Sequence, residues 1–104
     1  MQNYRDLQVW KKSHVLTLEV YKITKAFPKE EVFGLVSQLR RASVSIPTNI
    51  AEGSGRFTQK DFASFLQISL GSCQEVEYLT FLAKELNYIS EADFDLLNKA
   101  IGEI

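Results

Sequence analysis

Apolar residues recur along this chain at the three- and four-residue steps of helices, in four runs separated by short polar turns, and no stretch alternates as a strand would. The first run extends from near Asp6 to Ala26 and carries two apolar strips. Leu7, Trp10, His14, Leu18 and Tyr21 form one. Val9, Leu16, Val20, Ile23 and Phe27 form the other, and the small polar Ser13, Thr17 and Thr24 occupy the gap between them. Lys11, Lys12, Glu19 and Lys22 lie on the opposite side. A bundle helix needs one stripe for its core, so two stripes predict that the second meets a neighbouring subunit. Phe27-Pro28 closes this helix, because proline biases the residue before it away from helical angles.

The second helix is predicted from about Val32 to Glu52, with Leu35, Leu39, Ala42, Ile46 and Ile50 on its apolar face. That period runs straight through Pro47. A proline inside a helix removes one donor and frees the carbonyl four residues earlier, here Ser43, at a cost of roughly 3 kcal/mol. A kink is expected there, with Ser43, Ser45, Thr48 and Asn49 rebonding the loosened backbone. Gly53-Ser54-Gly55 is expected to end the helix with a left-handed glycine cap. Thr58 with Asp61, and Ser90 with Asp93, mark the starts of the third and fourth helices as capping boxes with Asp in place of Glu. The third, about Gln59 to Leu86, shows a broad face of Phe62, Phe65, Leu66, Ile68, Ser69, Cys73, Val76, Leu79, Thr80, Ala83 and Leu86. Its small Ser69, Ser72 and Cys73 invite a close neighbour near Pro47, whereas Ala63, Leu70 and Phe81 lie off the face. The fourth offers Phe94, Leu97, Ile101 and Ile104. The predicted fold is all-α: a single domain over residues 1–104, an antiparallel up-and-down four-helix bundle with a proline-kinked second helix.

Composition narrows the function classes. With 104 residues and 45% hydrophobic content, one core is all the chain can build. Cys73 is the one cysteine, which excludes a disulfide framework or a cysteine-based metal site within one chain. No run approaches a membrane span, and Met1-Gln2-Asn3-Tyr4 lacks the basic-then-apolar order of a signal peptide, so the expected address is cytoplasmic, without a membrane. The net charge of −1 hides an asymmetry: residues 1–60 hold ten Lys and Arg against five Asp and Glu, and residues 61–104 hold two against eight. Either the basic half meets phosphate, or the two halves pair within the bundle or between subunits.

The run Ser37 to Arg56, SQLRRASVSIPTNIAEGSGR, preceded by Tyr4-Arg5-Asp6-Leu7-Gln8-Val9-Trp10 and by Phe27-Pro28-Lys29-Glu30-Glu31, resembles the bacterial four-helix bundle proteins encoded by intervening sequences of large-subunit rRNA genes. The accessory proteins of diversity-generating retroelements are similar. The resemblance covers nearly the whole chain. It implies an up-and-down bundle that assembles as a homo-oligomeric ring, typically a pentamer, and a basic surface presented to RNA or another nucleic acid and to a protein partner such as a polymerase. Members of that family usually carry the fourth helix further than this chain does, so either the helix is shorter here or its remainder lies outside this sequence.

Among candidate sites, Arg40 and Arg41, with Arg56 and Lys60 near the next turn, form the best polyanion set, since guanidinium groups bind phosphate bidentately. Adjacent helical residues point about 100° apart, so Arg40 and Arg41 cannot share one surface. The competing reading pairs one of them with Glu52 or with a carboxylate of the third helix. Lys11, Lys12, Lys22 and Lys25 make a second basic strip that an ordinary solvated face also explains. Trp10, Tyr21, Phe62 and Phe65 fall on apolar stripes and read as core rather than base-stacking platforms. His14 reads as a buried imidazole or an interface donor, and Cys73 as a small core residue. Ser45, Thr48, Asn49 and Glu52 form a polar cluster that either lines an axial channel or repairs the backbone around Pro47. No phosphate loop, zinc signature or nucleophile beside a base is present, so neither a cofactor nor a metal nor an enzymatic activity is expected. The reading is a non-enzymatic homo-oligomer that binds nucleic acid. The alternative is a protein-interaction scaffold with no nucleic-acid binding of its own.

Overall fold

The computed structural model describes residues 2–104, so Met1, which belongs to the N-terminus interpreted above as leader-free, lies outside the described residues. Four helices carry the fold: α1 Gln8–Thr24, α2 Leu35–Ser54, α3 Gln59–Glu85 and α4 Glu91–Gly102. Short 3-10 turns at Tyr4–Asp6 and Lys29–Glu31 precede α1 and α2, and the described residues contain no strand. Packing runs from α1 to α2, α2 to α3, α3 to α4 and α4 back to α1, with no close approach across either diagonal among the described residues. Short connections between sequential neighbours give this order, which suits the predicted up-and-down bundle. Of each expected capping box, the hydroxyl half forms. Thr58 Oγ1 accepts from Asp61 N and Ser90 Oγ from Asp93 N, each at 3.1 Å.

Leu16 and Val20 of α1, Leu39, Ile46 and Ile50 of α2, Val76 of α3 and Leu97 of α4 are fully or almost fully buried and define the core. Of the two strips on α1, the one containing Leu16, Val20, Ile23 and Phe27 faces inward, and the polar gap is buried beside it. Ser13 and Thr24 tolerate burial because their hydroxyls donate to the carbonyls of Trp10 (2.9 Å) and Val20 (2.7 Å). The other strip turns outward: His14, Leu18 and Tyr21 are exposed, and Leu7 and Trp10 are half-buried. Phe62 and Phe65 are also only half-buried, so the core assignment of these aromatics is too generous. On α3, Leu66, Ile68 and Leu86 are exposed as well, because the predicted face was wider than two flanking helices can cover.

Pro47 sits inside α2 without ending it. The freed carbonyl of Ser43 accepts the hydroxyl of Thr17, reaching across from α1 at 2.9 Å. For the freed carbonyl this corrects the expected local remedy, since the Ser43 hydroxyl bonds the Arg40 carbonyl of its own helix instead, whereas Asn49 does bond the backbone beside the proline, its Nδ2 donating to the Ser45 carbonyl at 2.8 Å. On the other side of α2, Ser69 Oγ of α3 donates to the Ile46 carbonyl at 2.9 Å, the close approach that the small residues of α3 permit. The expected left-handed glycine cap is also absent. Every glycine among the described residues has negative φ, and α2 continues to Ser54. Gly53 is needed for a different reason: a Cβ there would lie 2.8 Å from Phe65 Cβ and 2.8 Å from Phe62 Cδ1. Asn87 adopts the left-handed conformation (φ 63°). It closes α3 as a Schellman turn, in which Tyr88 N bonds Ala83 O and Asn87 N bonds Lys84 O.

The turn after α3 is tied to the turn before α2. Tyr88 Oη donates to Glu31 Oε2 at 2.8 Å, Glu31 Oε1 accepts from Leu35 N at the start of α2, and the Phe27 ring packs 5.5 Å from that of Tyr88. The bond to Glu31 raises the Tyr88 pKa, and burial and the Glu31 and Glu30 charges add to the effect. The folded state therefore favours the neutral phenol. Its contribution is complete below the ordinary tyrosine value near 10 and is lost as pH rises from there through the raised value. Urea unfolding from about pH 8 to 11 should show a loss of stability at the alkaline end that is smaller in Tyr88→Phe. An equal loss in both proteins would mean the phenol is not the titrating group.

Candidate nucleic-acid interface

The two adjacent arginines of α2 separate completely. Arg40 turns toward α1, where its Nε donates to Thr24 Oγ1 (2.9 Å), its Nη2 donates to the Tyr21 carbonyl (3.2 Å), and its guanidinium lies 4.6 Å from the Tyr21 ring centroid. A cation here satisfies a carbonyl in the last turn of α1 and complements the negative end of that helix. Arg40 is thus a structural residue. The sequence predicts a carboxylate partner; the structure supplies a carbonyl, a hydroxyl and a ring. Arg41, about 100° further round, is exposed in a groove of about 570 Å³ between α2 and α3, with Ser37, Gln38, Ser72 and Glu75.

Arg56 lies at the α2–α3 turn, 3.4 Å from Glu52 and 4.8 Å from the Phe65 ring centroid. Both members of the ion pair are about half exposed, so it is worth at most about 1 kcal/mol and is easily traded for another anion. Lys60 follows in the first turn of α3. Between them in sequence Phe57 is almost wholly exposed, so this turn carries an aromatic residue as well as two cations, a feature absent from the candidate set drawn from the sequence.

On α1, Lys11, Lys12, Lys22 and Lys25 are all exposed. The ion pairs among the described residues are Arg56–Glu52 and Lys84–Glu91. Each joins residues from the same half of the chain, so among the described residues no ion pair links the basic first half to the acidic second half inside one subunit.

The predicted polar cluster also divides. Asn49 Nδ2 donates to the Ser45 carbonyl (2.8 Å) and Ser72 Oγ to Ser45 Oγ (2.8 Å), which places this pair in the α2–α3 seam. Thr48 and Glu52 face outward, beside a groove walled by Trp10, His14 and Pro47. His14 is exposed rather than buried. Its ring stacks on Trp10 (4.9 Å, 9°), Tyr4 meets Trp10 edge-on at 5.0 Å, and Arg5 lies 4.7 Å from the Tyr4 ring centroid. Cys73 is buried, and burial followed by the Glu77 charge pushes its thiol up, away from the reactive thiolate. The described residues contain no helix long and apolar enough to cross a membrane, and no group of three or more His, Cys, Asp or Glu placed to hold a metal ion.

The family model for 23S rRNA-intervening sequence proteins matches residues 5–104. The chain belongs to that family. The crystal structure of a protein of unknown function from the S23 ribosomal protein family of Bacteroides thetaiotaomicron VPI-5482 superposes on it with a TM-score of 0.81 at 26% identity, covering 91% of this chain and 89% of that one. Among curated proteins no relative matches. The 23S rRNA-intervening sequence family thus accounts for the sequence resemblance and for the four-helix fold.

Proposed function

We propose that this intervening-sequence protein is a non-enzymatic cytoplasmic homo-oligomer that binds RNA through phosphates, with Arg41, Arg56 and Lys60 repeated around the assembly. The observation carrying this reading is the unpaired basic charge: Arg41 and Lys60 lie in no ion pair among the described residues, and Arg56 holds only an exposed, exchangeable one. Guanidinium forks suit phosphate, and the exposed Phe57 between Arg56 and Lys60 offers a face on which a base can stack. Repetition in each copy multiplies an attraction that is weak in one subunit. The α1 lysines suit this role less well. Val15 and Leu18 lie among them, and phosphate would leave those apolar side chains in water.

Fluorescence anisotropy with a structured RNA and a matched DNA duplex, at low and near-physiological salt, tests the proposal. Binding should be steeply salt-dependent, and Arg41→Ala, Arg56→Ala and Lys60→Ala should each weaken it and lower the salt slope by about one. An absence of RNA binding at low salt overturns it. The second reading, a protein-interaction scaffold, is favoured by the apolar side chains that one subunit leaves exposed, among them Leu18, Leu70 and Phe81.

A further inference from the structure

We infer that the groove between α2 and α3 takes one unpaired guanine nucleotide, with its phosphate on Arg41, its base against Phe33 and its pairing edge on Glu75. The inference rests on the RNA-binding reading above and names what the Arg41 site reads. The groove measures about 570 Å³, within the roughly 300–1,000 Å³ of small-molecule sites, and Phe33, Ser37, Gln38, Arg41, Ser72 and Glu75 are among its walls. Arg41 comes from α2 and Glu75 from α3; both are exposed, and neither lies in an ion pair among the described residues. The half-buried serines are already occupied. Ser72 Oγ donates to Ser45 Oγ at 2.8 Å, and Asn49 Nδ2 donates to the same oxygen at 3.1 Å.

Phe33, at 96%, is the most exposed large apolar side chain among the described residues. The turn that carries it is pinned. Glu31 Oε1 accepts from Leu35 N at 3.1 Å, Glu31 Oε2 accepts from Tyr88 Oη at 2.8 Å, and Gly34 N bonds Glu31 O at 3.0 Å. A ring held out from such a turn, at a polar groove, needs little backbone ordering when a ligand arrives. What it offers is a face on which a nucleobase can stack.

Charge selects the rest of the ligand. Arg41 suits a phosphate. Glu75 does not, since a carboxylate repels a second anion, so the part of the ligand that meets it must carry donors. An ionised carboxylate only accepts, and two parallel N–H groups satisfy it best. Of the four RNA bases, guanine alone has two adjacent donors on its pairing edge, at N1 and N2. Adenine and cytosine each set one amino group beside an acceptor nitrogen, and uracil sets one N–H between two carbonyls. In a duplex that edge is occupied, so the site reads loops, bulges and ends rather than stems.

Fluorescence anisotropy with labelled hairpins tests this. Four share a stem and an oligouridine loop and differ in one loop base, G, A, C or U; a fifth carries inosine, which keeps N1–H and lacks the 2-amino group. The native protein should bind the G hairpin about 5- to 100-fold more tightly than the A hairpin, the discrimination of one bidentate pair, with inosine between them. Glu75→Gln should remove that preference without weakening the A, C and U hairpins, because the carboxamide keeps one acceptor and sets its NH2 against the second donor. Phe33→Ala should weaken every loop about tenfold and spare a blunt duplex. Both positions are exposed, and a thermal melt by circular dichroism checks that the variants keep the fold. Unlabelled GMP, with AMP as control, separates the two sources of the nucleotide. Competition by GMP at the hairpin's own Kd assigns the groove to the free nucleotide, whereas a requirement for an excess of about tenfold or more assigns it to RNA, whose other phosphates add to the contact; either result supports a guanine site. Equal binding of the four loops, or a G preference that survives Glu75→Gln, overturns the inference and leaves the RNA-binding reading intact. If no RNA binds at low salt, that reading falls, and calorimetric titration of GMP into the native protein and Glu75→Gln decides the guanine site. GMP binding that is absent, or unchanged by the substitution, overturns it.

Discussion

Gly53→Ala should destabilise the bundle by about 1–3 kcal/mol, although alanine is the better helix former. Two effects compete at this position. Replacing glycine inside a helix gains about 0.8–1 kcal/mol from reduced backbone entropy loss. Against it stands a methyl group 2.8 Å from Phe65 Cβ, an atom fixed to the backbone of α3, so relief requires α2 and α3 to move apart. Rotation of the Phe62 ring cannot relieve that contact. Gly71 in α3 is the control, since a Cβ there meets nothing within 4 Å, and Gly71→Ala should stabilise by about 0.5–1 kcal/mol. Urea denaturation of both variants measures the two shifts. A stabilised Gly53→Ala would show that the helix pair has slack at this point.

That contrast marks how far the sequence could be read. Helix number, order and start sites follow from apolar period and hydroxyl caps, which are local and depend on few residues; Thr58 and Ser90 behave as their side chains dictate. Which face of a helix is core depends on its neighbours, so the two strips of α1 could be found but not assigned. The same limit applies to the site. Arg40 and Arg41 are chemically identical, and only the position of the last turn of α1 decides that the first is consumed structurally. Gly53 looked like a cap because its sequence surroundings, Gly53-Ser54-Gly55, are those of a helix end. Its actual role depends on Phe62 and Phe65 of another helix, which no local pattern reports. Asn87 was missed because asparagine is a less emphatic stop signal than glycine.

Thr17→Val should cost about 1–3 kcal/mol in the native background, and much less once Pro47 is replaced by alanine. Pro47 has no N–H to give Ser43, and the Thr17 hydroxyl lies 2.9 Å from that carbonyl. The same hydroxyl is 3.0 Å from the Ser13 carbonyl of its own helix. It carries a single proton, so it can serve only one of them at a time. Ser13 O has the usual helical donor, Thr17 N, within α1, whereas Ser43 O has lost its donor to the proline, so the loss of the hydroxyl is felt at Ser43. Valine keeps the shape and the branched Cβ, so the change tests the hydrogen bond more than the packing. In Pro47→Ala the backbone N–H of residue 47 returns to Ser43, and Thr17→Val then removes a bond that the helix no longer needs. The double-mutant cycle should yield a coupling of about 1–2 kcal/mol, well above the near-additivity of independent sites. Equal costs in the two backgrounds would break the link between the proline and the threonine. The contact also joins α1 to α2 at the point where the proline breaks the hydrogen-bond ladder of α2.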